Sequence, residues 1–271
     1  MMRYAKEFYR FLKHIVQNRR LLVTLIKNDF KKQYLGSYLG ILWAFIQPLT
    51  FMFVIWFVFE KGFRSAPVQG DVPFSLWLIS GMIPWFFISE SLLSGTESIV
   101  DNSFLVKKIS FRVSILPLVK ISSALLLHFF LIIFLILMFL IYGYKPSLYW
   151  LQLPYFVICS IFFVLGLSWF TSSIRVFVKD IGGIIAIILQ IGFWATPIFW
   201  NINMIPLTYQ WMFKLNPAFY IVEGYRDSFI NHVWFWEMPN ETFYFLGVSM
   251  IVFVTGAIVF KRLRPHFGDV L

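Results

Sequence analysis

Charge is what this sequence has least of. Asp, Glu, Lys and Arg make up 13% of its 271 residues, 59% are hydrophobic, and the mean hydropathy is +0.77. A globular domain of this length has too little interior to hide so much apolar surface from water. A polytopic membrane protein is therefore expected. There is one cysteine, Cys159, inside an apolar run, which excludes an internal disulfide framework and a cysteine-rich metal site. Neither a GxxxxGKS/T nucleotide loop nor an HExxH helix occurs, and the four histidines are scattered without ligand spacing. Acids are nearly absent from the hydrophobic runs, so a proton- or sodium-coupled carrier would lack a place to bind its ion. Energy for uphill movement must then arrive from outside the chain. The first 37 residues also lack a short apolar core with a small-residue cleavage site, and no cleavable leader is expected.

What is present divides into residues 1–37 and 38–271. Met1 to Ser37 carry nine basic side chains against Glu7 and Asp29. Phe8, Phe11, Leu12, Ile15 and Val16, then Leu22, Val23, Ile26 and Phe30, recur at helical spacing, with a break expected at Asn18-Arg19-Arg20. A helix that is basic on one face and greasy on the other suits the headgroup layer, where anionic lipid attracts it. The alternative is a helix packed on a soluble partner.

The rest is expected to be an all-α membrane domain with six spans, at about Tyr38 to Phe59, Pro73 to Ser94, Ile115 to Ile141, Leu153 to Phe177, Ile181 to Trp200 and Phe243 to Phe260. Gln47 and Pro48 sit near the middle of the first. An amide beside a broken backbone hydrogen bond needs a protein or water neighbour, so one face of that helix is expected not to face lipid. Pro84 interrupts the second span and Glu90 lies near its end, where the interface is its expected place. His128, inside the third, is expected to be a bundle-facing hydrogen bonder rather than a proton relay. Glu97 to Ser114 is polar enough to leave the bilayer, yet Ile99, Val100, Phe104, Leu105 and Ile109 give it a docking face.

Asn201 to His232 is apolar and aromatic, but Pro206 and Asn216-Pro217 cut it into pieces too short to cross. About 20 helical residues are needed for roughly 30 Å of hydrocarbon. Proline tolerates the first helical position and Asn216 is a good N-cap, so two short helices are expected, Pro206 to Leu215 and Pro217 to Ile230. They would dip into the membrane and return, which is tolerated only in a protein-lined setting. A greasy loop lying flat on the headgroups is the alternative.

Lysine and arginine outside the spans set the orientation. Seventeen fall on the side of the amino-terminal region, the loop after span two, the turn at Arg175 and Lys179, and the tail; five fall on the other, namely Lys61, Arg64, Lys145, Lys214 and Arg226. Both termini are expected to be cytoplasmic, and the broken segment external. Glu223 and Arg226, three apart on one helix, could pair, a solvated surface pair being the expectation.

YLGILWAFIQPL, GMIPWFFIS, the Val178-Lys179-Asp180 turn, ATPIFW and LNPAFYIVEGYRDSF, in this order over nearly the whole chain, resemble the permease subunit of bacterial polysaccharide-exporting ABC transporters, the type-2 exporter fold. Within that family WFVFEKGFR, IPWFFIS, PIFW and FKLNPAFYIVEGYRDSF are most similar to the teichoic acid translocation permeases, with O-antigen and capsule permeases as the alternative. The resemblance implies an interface helix, six spans, a coupling helix at about Ser98 to Ile109 and two gate helices before span six. It also implies a homodimer with two ATPase subunits that bind the ATP and Mg, a lipid-linked polysaccharide as substrate, and a place in the bacterial cytoplasmic membrane. The chain itself would be no enzyme, would hold no cofactor or metal, and would bind membrane lipid but no nucleic acid. Coupling residues would be Asp101, Asn102, Phe104, Lys107 and Lys108; gate residues would be Pro206, Asn216, Pro217, Phe219, Tyr220, Glu223 and Arg226.

Aromatic residues make up 21% of the chain. Flat rings suit a sliding sugar chain because they offer contact without gripping the hydroxyls. Trp43, Phe51, Trp85, Phe86, Phe193, Trp194 and Trp200 are the candidates for lining a path, against the alternative of ordinary lipid-facing rings. A rival from another class is a membrane-embedded transferase acting on the same lipid-linked polymer; it would need convergent acids or a histidine at membrane depth, and the sequence alone does not identify partners for Glu90 and His128. A type-2 permease for a small hydrophobic compound is a third reading.

Overall fold

The computed structural model describes residue 13 and residues 17–34, 38–62, 72–107 and 112–271. Its helices are α1 (Arg19–Tyr34), α2 (Leu42–Trp56, running on into a π-helical turn at Phe57–Gly62), α3 (Phe74–Glu97), α4 (Ser103–Val106), α5 (Leu116–Ile141), α6 (Leu153–Arg175), α7 (Ile181–Ala195), α8 (Leu207–Lys214), α9 (Pro217–Arg226), α10 (Pro239–Leu263) and α11 (Phe267–Val270). Proline marks the starts: Pro73 precedes α3, and prolines stand in the first turns of α5, α6, α9 and α10, where a missing N–H costs nothing. The Asn216 side chain accepts the Ala218 N–H at 3.0 Å, as the expected N-cap should. Phe8, Phe11, Leu12, Ile15, Val16, Arg64, Lys108 and Ile109, all used in the sequence reading, lie outside the described residues.

Among the described residues, five helical stretches are long and apolar enough to cross a membrane: Leu42–Gly62, Phe74–Glu97, Val113–Ile141, Leu148–Arg175 and Pro239–Val270. The expected fifth span is different. α7 has 15 residues, about 22 Å at 1.5 Å per residue, and the chain from Thr196 to Trp200 is irregular.

Contacts define two ends of the bundle. At one end Lys120 of α5 meets Asp29 of α1 and Asp101 after α3, Arg175 of α6 meets Glu97 of α3, and Phe177 packs on Phe267 of α11. The second half of α1, at Asp29, and the last helix therefore share an end. At the other, Trp56 Nε1 donates to the Tyr142 hydroxyl at 3.0 Å, and Tyr142 and Ser75 donate to Glu60. α7 starts near Glu97, and Pro197 and Ile198 finish beside Trp77 at the opposite end. The irregular tail thus completes a distance that the helix alone does not.

α3 is the central helix, with every residue from Ser75 to Trp85 buried. It is hydrophobic all round, as a helix surrounded by others must be. α6 and α10 approach at two glycines: a Cβ on Gly256 would lie 2.1 Å from the Gly166 carbonyl oxygen, and one on Gly166 would lie 2.7 Å from Phe253 Cα. Small residues let helix backbones come close enough for dispersion contact where lipid supplies no hydrophobic drive. The Thr96 and Thr171 hydroxyls add a 2.7 Å hydrogen bond between α3 and α6. α2 and α7 are open, with only Ala44 and Met52 buried on α2 and only Leu189 on α7.

Candidate functional site

The broken segment between α7 and α10 divides into unlike halves. On α8 no residue is buried, and Leu207, Tyr209, Trp211 and Met212 are exposed. It is held by Gln210 Nε2 donating to the Ile205 carbonyl at 3.0 Å, Trp200 edge-on to Phe213, and Lys214 reaching Glu241 at 3.4 Å. On α9, Ala218 to Val222 and Gly224 to Arg226 are buried. Phe219 and Tyr220 are among them; Tyr220 stacks on Phe245 at 4.8 Å and its hydroxyl meets Thr242 at 2.9 Å. A flat loop is therefore not what these residues form. Asn216 also ties the segment to the end of α7, its Nδ2 donating to the Thr196 hydroxyl at 2.8 Å.

Arg226 corrects the expected solvated pair. It is 0% exposed. Its Nη1 donates to the Pro197 carbonyl and to Glu223 Oε1, both at 2.6 Å, Nη2 donates to the Ile198 carbonyl at 2.9 Å, and Nε to the Trp77 carbonyl at 3.4 Å. The guanidinium carbon stands 3.5 Å from the Trp77 ring centroid, within cation–π range. Glycine makes the room, since a Cβ on Gly81 would lie 2.6 Å from Arg226 Nη2. The planar fork satisfies two carbonyls that the irregular stretch after α7 leaves without helical partners. One side chain thereby joins α9, α3 and the tail of α7.

The candidate path residues are spread along α2, α3 and α7. Trp43, Phe51 and Trp194 are exposed, and Phe86, Phe193 and Trp200 are half-buried. Phe51 contacts Phe86 edge-on at 5.9 Å, and Trp200 Nε1 donates to the Trp194 carbonyl at 3.1 Å. Trp85 stands apart: it is buried, faces Phe193 at 6.1 Å and fills the space over Gly192, so it packs α3 on α7. On α7, Ile184, Ile187, Ile188, Ile191 and Trp194 form one exposed apolar stripe.

α3 leaves one stripe partly open, Phe86, Ser89, Glu90, Leu93, Ser94 and Glu97. Two cavities lie along it, about 370 Å³ beside Gln47, Phe51 and His128, and about 470 Å³ beside Asp29, Asp101 and Lys120. Glu90, Leu93 and Ala124 line both, so the two cavities adjoin. Gln47 is thus served by a protein-lined cavity, and His128 is buried with Nε2 2.7 Å from the Tyr225 hydroxyl. Where one coupling helix was expected, residues 98–102 form a turn followed by the single-turn α4. Asp101, Phe104 and Lys107 are exposed there, and Asn102 Nδ2 donates to the Ser98 carbonyl at 2.9 Å. Among the described residues no group of three or more His, Cys, Asp or Glu could hold a metal ion.

Sequence reasoning missed Lys120, which sits in the third span yet bridges Asp29 and Asp101 at 2.9 Å each. A lysine inside an otherwise apolar span was the signal. It also missed the wholly buried state of Arg226, for which Gly81, 145 residues earlier in the chain, gave no local sign.

The chain is 32% identical over 254 residues to an O-antigen export system permease protein RfbA of Klebsiella pneumoniae, covering 93% of this chain and 95% of that one. A second such protein from the same organism is 31% identical with the same coverage, and one from Myxococcus xanthus is 25% identical over 265 residues, 96% of this chain and 98% of its own. The profile of the family described as ABC-2 type transporter matches residues 20–230. With a helical bundle of membrane-crossing length and a match over most of its residues, the chain belongs to the ABC-2 type transporter family.

Proposed function

We propose that this chain is the permease of an ATP-driven exporter of lipid-linked polysaccharide, with an O-antigen-like polymer as cargo. The observation that carries this is likeness to O-antigen export permeases over 93% of the chain. These relatives favour O-antigen over the teichoic acid cargo expected from local stretches. Teichoic acid is kept as the second reading because of WFVFEKGFR, IPWFFIS, PIFW and FKLNPAFYIVEGYRDSF. In this proposal the chain crosses the bacterial cytoplasmic membrane six times, the short α7 and its irregular tail making the fifth pass, with both termini cytoplasmic. Two copies meet along the open faces of α2 and α7, and two ATPase subunits bind the ATP and Mg.

Trp43, Phe51 and Trp194 would give the polymer flat, weakly held contact, and the Arg226-bound α9 would be the fixed wall against which the exposed α8 moves. The test is depletion of the permease in cells that make the polymer. Intracellular accumulation of a lipid-linked glycan supports the proposal, and a phosphate-rich polymer supports the teichoic reading. No accumulated polymer, or polymer turnover by the isolated chain, would overturn it in favour of a small-compound permease or a transferase.

A further inference from the structure

Lys120 occupies a position where a cation is unfavourable twice over. It is the fifth residue of α5, within a stretch of membrane-crossing length, and its side chain is 14% exposed. A helical side chain also leans back toward the helix N-terminus, the positive end of the macrodipole. Two carboxylates compensate, Asp29 at 2.9 Å and Asp101 at 2.9 Å. They come from different elements. Asp29 is on α1, whose other polar contact with α5 among the described hydrogen bonds is a 3.5 Å one from the Ser123 hydroxyl to the Ile26 carbonyl. Asp101 belongs to the turn after α3, and that turn is tied down by the Asp101 N–H donating to the Glu97 carbonyl at 3.0 Å. Glu97 in turn pairs with Arg175 of α6 at 2.7 Å. The ammonium is therefore the point through which α1, the turn and α5 are held in one geometry.

We propose that Lys120 is a positioning residue for transport: it clasps α1 and the α3–α4 turn to α5, so that a push received at that end of the bundle displaces the spans together. This rests on the reading of the chain as an ATP-driven permease that is pushed at the turn. Apolar packing of Leu22, Leu25 and Ile26 holds α1 on the bundle without the clasp. Loss of the ammonium should then loosen transmission more than assembly.

The experiment uses the complete complex of permease and ATPase in vesicles, with polymer delivered and ATP hydrolysed measured together. For Lys120→Met, assembled complex and ATP hydrolysis should stay within about twofold of wild type, while polymer delivered per ATP falls roughly tenfold, the size of an ordinary coupling free energy. Lys120→Arg should restore the ratio, and adding Asp29→Asn to Lys120→Met should lower it no further. Should Lys120→Met fail to assemble, Asp101→Asn removes the more exposed arm and should lower the ratio about threefold. An unchanged ratio in these variants, or export falling only in proportion to assembled complex, overturns the clasp. A wild-type complex that delivers no polysaccharide overturns the function proposed above instead.

Discussion

Replacing Arg226 by methionine is the sharpest test of how α9 is held against α3 and the tail of α7. The volume is similar, so the perturbation is chiefly the loss of donors. The Trp77 carbonyl keeps another partner, because Ser80 Oγ donates to it at 2.8 Å. Pro197 and Ile198 carbonyls, in the irregular tail of α7, lose the hydrogen bonds that Arg226 gave them at 2.6 and 2.9 Å. Two such acceptors at about 1–3 kcal/mol each, with Glu223 left unpaired, agree with the roughly 3–5 kcal/mol for removing one partner of a buried pair. At about 2–4 °C per kcal/mol, the unfolding midpoint should fall by on the order of 10 °C. The protein carries its own reporter, since Cys159 is its single thiol and is buried on α6, so reaction with a thiol dye on heating in detergent reports unfolding. Arg226→Lys should recover only part, because one ammonium cannot serve two carbonyls and lie flat on the Trp77 ring. A midpoint for Arg226→Met within about 2 °C of wild type, less than 1 kcal/mol by the same scale, would refute the claim that this guanidinium holds α9 to α3 and α7.

Gly256→Ala should cost about 1–3 kcal/mol or more in the same assay, because the added carbon meets a backbone oxygen that no rotamer change can move, whereas Gly268→Ala, with open space around it, should be neutral. Gln152→Leu should destabilise by about 2 kcal/mol, since its amide accepts from the Phe235 N–H at 3.0 Å and donates to the Val233 carbonyl at 2.8 Å. Trp194→Ala and Trp43→Ala should slow polymer export while leaving the midpoint within about 0.5 kcal/mol, as exposed substitutions usually do. Trp85→Ala should instead destabilise by about 3–5 kcal/mol, as expected for a buried tryptophan; export unchanged in the first two would remove them from the path.

Residues that act along one helix were legible. The spans follow from runs of apolar side chains, the break before α9 from Asn216-Pro217, and the bundle-facing role of His128 from a lone imidazole in hydrocarbon. The loss of helix at Thr196 was not legible, because hydropathy continues through ATPIFW while the backbone there turns irregular. Glu223 and Arg226 were read as a surface pair because the sequence places them beside each other and says nothing of Trp77, Gly81 or Pro197. Lys120 was overlooked because its partners lie 91 residues back and 19 residues back along the chain.

The sequence by itself determined the solvent, the helical class and most of the places where helices start and stop, because each is set by composition and local backbone chemistry. Only the tertiary structure decided which charges are buried, where backbones touch at glycine, and which aromatic rings stay open. Those depend on which faces meet, and in spans as uniformly apolar as α2, α5 and α7 the pattern of hydrophobic residues does not choose among faces. Glycine gaps and a few paired charges from distant parts of the chain make that choice.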